Sequence, residues 1–264
     1  MKLGKYFKLN APIPGTLYLG LSIAAFALLL LIWQLGVTVG HLPPSHLPAP
    51  AAVARAAMEL AGDGLVNDIG ISFFRVTTGF LLAALIGVPL GILMGSLKVA
   101  EAFFEPMLAF FRYMPASAFI PLTIIWLSIF ETQKIGVVFI GIFFQLVLMI
   151  MDVTHNVPQD LIDTAYTLGA RPGEVFRRVI LPAAMPGIMD TLRVALGWAW
   201  TYVIVAELVA ANSGLGFLIM NAGRQLSTPD MFVGILTIGV LGIICDMTFK
   251  AIYRWLFPWT EREV

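Results

Sequence analysis

Residues 158–182 read PQDLIDTAYTLGARPGEVFRRVILP, a charged, helix-forming stretch held between two long apolar runs. Leu161, Ala165 and Leu168 fall at i, i+4 and i+7 with Ile162 and Tyr166 beside them, which predicts a short helix with one apolar face. Gly169 stops that stripe. Pro172 suits the first turn of a second helix, where its missing N–H costs nothing. Val175, Phe176, Val179 and Ile180 form the second apolar stripe, with Glu174 and Arg178 spaced i, i+4 on the other side. Two short amphipathic helices joined at Ala170–Arg171, set among membrane-type segments, make a docking element.

The rest of the chain supplies the membrane. Its 264 residues are 59% apolar and 12% charged, with a mean hydropathy of +0.90, against roughly 25% charged in soluble domains. A soluble core cannot hide that much apolar surface, whereas a bilayer can. Net charge is zero, so electrostatics offers no reason to expect a nucleic-acid partner. The lone Cys245 excludes an intrachain disulfide and reads as a small buried apolar residue.

A tail, residues 1–16, carries Lys2, Lys5 and Lys8 before an uncharged run from Leu17 to Gly40. That run is longer than the ~7–15 residues of a signal-peptide core, so it reads as a retained first span. The proline-rich 41–50 segment cannot be regular helix, and Ala51–Leu60 is a short amphipathic helix. Further spans are expected at Ile71–Leu97, at Glu101 to about Ile129 with Pro115 and Pro121 punctuating it, at Ile135–Met151, at Gly187–Val209 and at Met231–Ile252. Gly79, Gly87, Gly91 and Gly95 let the second span approach its neighbours closely. Residues 17–264 thus form one all-α membrane domain of about six transmembrane helices. Six spans put both termini on one side. Twelve Lys and Arg residues (Lys2, Lys5, Lys8, Lys98, Arg112, Arg171, Arg177, Arg178, Arg193, Lys250, Arg254, Arg262) fall on the side of the N-terminus and four (Arg55, Arg75, Lys134, Arg224) on the other. The positive-inside rule makes the twelve-residue side, both termini and the amphipathic pair cytoplasmic.

Catalytic chemistry has little to stand on. The sequence contains no GxxxxGK[ST] phosphate loop, HExxH, CxxC or GxSxG pattern, so it reads as a non-enzyme with no metal site. His41 and His46 read as solvated loop residues, and Asp152 with His155 as helix-end groups. Ionisable residues inside spans are functional candidates. Glu207 leads them, either fixing a loop or helix contact or touching a solute. Asp190 and Arg193, spaced i, i+3, can pair with each other, and Trp198 and Trp200 can pack or contact a ligand.

The opening stretch resembles the coupling loop of ABC importer permeases, whose pattern is Glu-Ala-Ala, three residues, Gly, nine residues, then Ile-x-Leu-Pro. Here it runs Asp163-Thr164-Ala165, Gly169, then Val179-Ile180-Leu181-Pro182, with both spacings kept and conservative departures at positions 163, 164 and 179. The segments 112–126, 190–207, 214–219 and 257–259 are similar to the nitrate, sulfonate, taurine and bicarbonate subgroup. The resemblance implies a MetI-like type I importer fold in the bacterial inner (plasma) membrane. It implies a permease working as a homodimeric pair, with two ATP-binding subunits and a periplasmic or lipid-anchored solute-binding protein. ATP and Mg would be bound by the partner ATPase and no cofactor by this chain. The coupling loop, 157–182, would meet the ATPase through Asp163, Ala165, Tyr166, Leu168, Gly169 and Ala170, with Leu181 and Pro182 closing the motif. Glu207, Arg193, Arg112 and Trp198 remain pathway or structural candidates. The alternatives are a secondary transporter or channel uncoupled from ATP and, behind it, an intramembrane enzyme or scaffold.

Overall fold

The computed structural model describes residues 13–40, 43 and 45–260, and every regular element among them is helical. Lys2, Lys5, Lys8, His41 and Arg262, which entered the charge and ligand arguments, lie outside the described residues. In chain order the elements are α1 (Gly15–Thr38), α2 (Pro50–Gly62), α3 (Leu65–Ser96), α4 (Lys98–Arg112), a 3-10 turn (Ala116–Phe119), α5 (Ile120–Leu127), α6 (Glu131–His155), α7 (Gln159–Thr167), α8 (Pro172–Val175), a π turn (Phe176–Ile180), α9 (Leu181–Ala210), α10 (Leu215–Arg224) and α11 (Thr228–Leu256). Five helices are long and apolar enough to cross a membrane, and α4 with the 3-10 turn and α5 makes a sixth candidate bent by 87°.

The bundle is organised around α3 and α6. Gly79, Ala83, Gly87, Gly91 and Gly95 recur at every fourth position and form one small-residue ridge on α3. Added Cβ atoms at Gly79, Gly91 and Gly95 would lie 2.7, 2.7 and 2.6 Å from Val138 Cγ1, Ile150 Cβ and the Met151 carbonyl. The backbones therefore touch, and dispersion takes over where lipid offers no hydrophobic drive. The pairing order (79 with 138, 87 with 146, 91 with 150, 95 with 154) shows that α3 and α6 run parallel. A parallel pair obliges the intervening chain to travel back along the bundle. The bent element does this: Phe104 and Leu108 pack with Met94, Val147, Leu148 and Met151, Phe111 stacks on Phe144 at 5.1 Å, and Ile120 meets Val137. Topologically it is a span, broken at residues 113–115, and the expected count of six crossings holds.

α9 runs antiparallel to α6, with Gly187 against Val153 at one end and Tyr202 against Gly141 midway. α11 lies on α9 through the Arg193–Asp246 ion pair. α1 is peripheral, held by the Trp33–Phe232 stack and by the Trp33 indole donating to the Pro48 carbonyl at 3.0 Å. It begins at Gly15, two residues inside the tail drawn from sequence.

Two expectations need correcting. The second amphipathic helix is not separate from the fifth span. From Pro172 to Val209 the chain is one 38-residue rod, so the span begins fifteen residues before Gly187. Pro182 explains the π turn within that rod. Proline cannot donate to the carbonyl four residues back and its ring crowds it, and the wider turn, closed by the Leu181 N–H bonding to the Phe176 carbonyl, relieves the clash. The second correction concerns Arg112, expected at the cytoplasmic side. It sits at the break, level with Gly141 and Gln145 of α6, about ten to fourteen residues and thus ~15–20 Å from the His155 end.

Candidate functional site

Three features are spaced along the axis of α9: an open turn at one end, a cavity midway, and a buried polar cluster at the other end.

The open turn follows α7. The Gly169 N–H donates to the Tyr166 carbonyl at 2.9 Å and the Ala170 N–H to the Ala165 carbonyl at 3.0 Å, with Gly169 at φ +85°. That pair of bonds is the Schellman C-cap, whose left-handed residue is glycine because a Cβ would clash with its own backbone. Apart from Gly169 itself and its two neighbours in the chain, no described atom lies within 4 Å of the position a Gly169 Cβ would take. Ile162 turns inward onto the core, whereas Leu161, Tyr166 and Leu168 stay exposed, Leu168 at 83%. Asp163 is exposed and accepts from the Gln159 amide at 2.9 Å, while Ala165 and Ala170 are half-buried. The Glu174 carboxylate accepts from the Arg171 N–H at 3.0 Å and starts the next helix. Leu181 and Pro182 lie away from this surface, inside the rod. The motif thus divides into an outward-facing turn and a buttress continuous with α9.

The cavity has a volume of about 270 Å³ and opens beside the break between α4 and the 3-10 turn. Arg112, Gln145, Trp198 and Tyr202 line it together with the aromatic rings of Phe111 and Phe144. Gly141 sets its floor, because a Cβ there would stand 2.5 Å from the Tyr202 ring. The Arg112 guanidinium donates to the Tyr113 hydroxyl at 3.0 Å and lies 4.9 Å from that ring's centroid. It pairs with no carboxylate among the described residues. Arg112 and Trp198, singled out separately in the sequence, are brought together here. Arg193 is not: it bonds Asp246 of α11 at 3.1 Å, with Asp190 at 3.9 Å, and that cluster continues to Lys250 at 2.7 Å.

The buried cluster centres on Glu207, which is 1% exposed. Its carboxylate accepts from Arg75 Nη1 at 2.8 Å, from the Gly216 N–H at 2.8 Å and from the Ser72 hydroxyl at 2.8 Å. Arg75, also 1% exposed, forks onto Glu131 through Nε at 2.5 Å and Nη2 at 2.6 Å, and Nη1 reaches the Ser213 carbonyl at 2.8 Å. The Leu215 N–H donates to Ser72 at 2.8 Å and the Gly214 N–H to Asp68 at 2.7 Å. Three successive N–H groups at the start of α10 are satisfied by three side chains of α3 and α9, the electrostatic arrangement a helix N-terminus favours. Every oxygen of Glu207 is taken, so the carboxylate fixes the loop between α9 and α10.

Some participants escaped the sequence reading. Gln145 was signalled only as a lone carboxamide in the apolar run 135–151, and Tyr202 as a flank of Glu207. Ser72, Asp68 and Glu131 carried no signal that distinguished them from ordinary helix-end polar residues.

The described residues form a multi-pass helical bundle with an exposed, capped turn at one end of a long rod and a polar cavity midway along it. Comparison with known proteins gives the family. Residues 87–262 match the binding-protein-dependent transport system inner membrane component. The chain is 39% identical over 255 residues to a probable ABC transporter permease protein of Brucella abortus, covering 96% of this chain and 100% of that one. It is 34% identical over 245 residues to the taurine transport system permease protein TauC of Escherichia coli K12, covering 90% and 89%. In fold it is similar to a chain of the MetNI methionine ABC transporter in inward-facing conformation, with a TM-score of 0.65 at 21% identity over 72% of this chain and 94% of that one. The chain belongs to the binding-protein-dependent transport system inner membrane component family: it is an ABC transporter permease, a multi-pass protein of the inner membrane with the MetI-like fold.

Proposed function

We propose that this permease imports a small anionic or zwitterionic solute of the sulfonate, taurine, nitrate or bicarbonate type, driven by a separate ATP-binding subunit that docks at the Gly169 turn. The observation that carries the proposal is the turn itself. A rigid, capped element exposes Leu161, Tyr166 and Leu168, leaves the space over Gly169 empty and is continued by a rod that reaches the midway cavity. The taurine permease of Escherichia coli and the nitrate import permease of Synechocystis among its relatives support the solute class.

In mechanism, the α7 end faces the cytoplasm and receives the ATPase in a groove-and-knob contact. Closure of the ATPase pair on ATP moves the turn. Because Val175, at 1% exposed, is locked in the core and α8 runs on into α9, the displacement passes as rigid-body movement along a rod ~57 Å long. Trp198 and Tyr202 ride on that rod, so the cavity changes shape with the ATPase state, exposing the pathway to each side in turn. ATP and Mg belong to the partner, two copies of the permease form the pathway between them, and a solute-binding protein delivers cargo at the Glu207 end.

The test is reconstitution of the permease with its ATPase and binding protein. ATP-dependent uptake and ATPase co-purification are expected for the wild type, and both are lost in Gly169→Asp. Uptake that persists without any ATPase, or that an uncoupler abolishes while ATP is held constant, overturns the proposal in favour of a secondary transporter.

A further inference from the structure

The cavity beside the broken span is more specific than a gap between helices. A guanidinium and a carboxamide at mid-height of a membrane bundle are costly unless something polar occupies the space they face. Gln145, Trp198 and Tyr202 make no side-chain hydrogen bond with another described residue, and Arg112 uses only one, to Tyr113. All four line the same 270 Å³ space, which lies just below the ~300 Å³ at which pockets for drug-sized ligands begin. The lining contains one cation, several neutral hydrogen-bonding groups and no carboxylate. The 87° break is what brings the cation here. It ends α4 at Arg112, level with the middle of α6, instead of carrying it through to the far end.

We infer that this cavity is an intramembrane subsite for a small oxyanion headgroup, sulfonate or nitrate, with Arg112 as its charge and Gln145, Trp198 and Tyr202 as its neutral partners. This rests on the permease reading given above and narrows its solute class from "anionic or zwitterionic" to the anionic end. Arginine's planar fork matches two oxygens of such a group. An ammonium group finds no carboxylate partner in the lining. Gly141 is the positioning residue: it lets the Tyr202 ring lie against α6, so a side chain at 141 pushes that ring into the space the anion uses. Because the rod carrying Trp198 and Tyr202 starts at the docking turn, the subsite is loaded in one state of the transporter and dismantled in the other.

The test is a saturation-transfer NMR titration of methanesulfonate onto the permease in lipid nanodiscs, with neutral methanesulfonamide as the matched control. Saturable binding of methanesulfonate, roughly tenfold or more weakened in Arg112→Gln and partly kept in Arg112→Lys, is expected from the loss of a charged hydrogen bond. Gln145→Leu is expected to weaken it by a smaller factor, and Arg55→Gln, on the exposed face of α2, to leave it unchanged. No saturable binding to the wild type, equal binding of the sulfonamide, or equal affinity in Arg112→Gln overturns the subsite. Co-elution of the ATP-binding subunit is scored on the same preparations. If it is absent even from the wild type, the proposed ATPase-driven import fails; if it is intact while methanesulfonate ignores Arg112→Gln, only the subsite fails.

Discussion

Two glycine turns sit at opposite ends of α9, and they differ in what surrounds them. Gly169 and Gly214 both have positive φ, +85° and +104°, and both follow a helix in a polar segment. Over Gly169 there is open space. Over Gly214 a Cβ would lie 2.6 Å from Glu207 Oε1 and 2.7 Å from Arg75 Nη1. One end of the rod is thus closed by its own side chains, and the other stands exposed. Where polar and apolar groups are mutually satisfied, the fold is fixed; the exposed turn at the other end is the surface that the proposed ATPase contact would use. The proposed transmission of movement needs both, a firm anchor and a free handle.

Substitutions can break this contrast. The largest loss of stability is expected at the anchor. Glu207→Ala leaves Arg75 with Glu131 alone as its carboxylate partner and takes the acceptor from the buried Ser72 hydroxyl and Gly216 N–H, and breaking a buried pair costs about 3–5 kcal/mol. The heated permease, followed by size-exclusion chromatography with fluorescence detection, should melt well below the wild type. Glu131→Gln should cost distinctly less, since that side chain is 51% exposed and water compensates the loss. Equal losses at 131 and 207 would mean that burial does not set the weight of the cluster.

Next comes the α3–α6 seam. Gly91→Val drives a side chain into Ile150 and the Val147 carbonyl, each 2.7 Å from the new Cβ, and overpacking of this kind costs about 1–3 kcal/mol. Smaller again is Gly169→Ala, whose left-handed backbone costs about 1–2 kcal/mol with no steric clash inside the chain. The contrast is sharpened by measuring two things on this variant, its melting temperature and its retention of the ATPase. A small shift in the first with a large loss in the second marks a contact made with a partner. Smallest is Lys98→Gln, which removes an exposed i, i+3 pair with Glu101 and should move stability by about 0.5 kcal/mol or less.

Much of this was legible beforehand, for particular physical reasons. Apolar runs long enough to span a bilayer are local features, so the spans expected at 17–40, 71–97, 135–151 and 231–252 correspond to the helices at 15–38, 65–96, 131–155 and 228–256, with ends that differ by up to six residues. The glycine spacing on α3 announced a close helix contact because small residues at every fourth position can serve little else. The end of α7 at Gly169 was legible too, since only glycine sits comfortably in that cap. By contrast, the start of the fifth span was drawn at Gly187 because Pro182 and Pro186 look like helix breakers. The π turn at 176–180 and tertiary packing of Val175 carry the helix through them.

The cavity and the anchor are a different matter. Arg75, Glu131 and Glu207 are far apart in sequence, and nothing in the residues around each says which carboxylate the guanidinium will fork onto. That pairing follows from the parallel packing of α3 and α6 and the antiparallel return of α9. Arg112 likewise reads as an interfacial cation until the 87° break places it beside Gln145 and Trp198. By itself the sequence determined the membrane class, most of the helices and the Gly169 turn, because hydropathy and glycine conformation act over a few residues. Only the tertiary structure decided the partners of the buried charges and the location of the cavity, because both depend on which helices run side by side and at what register.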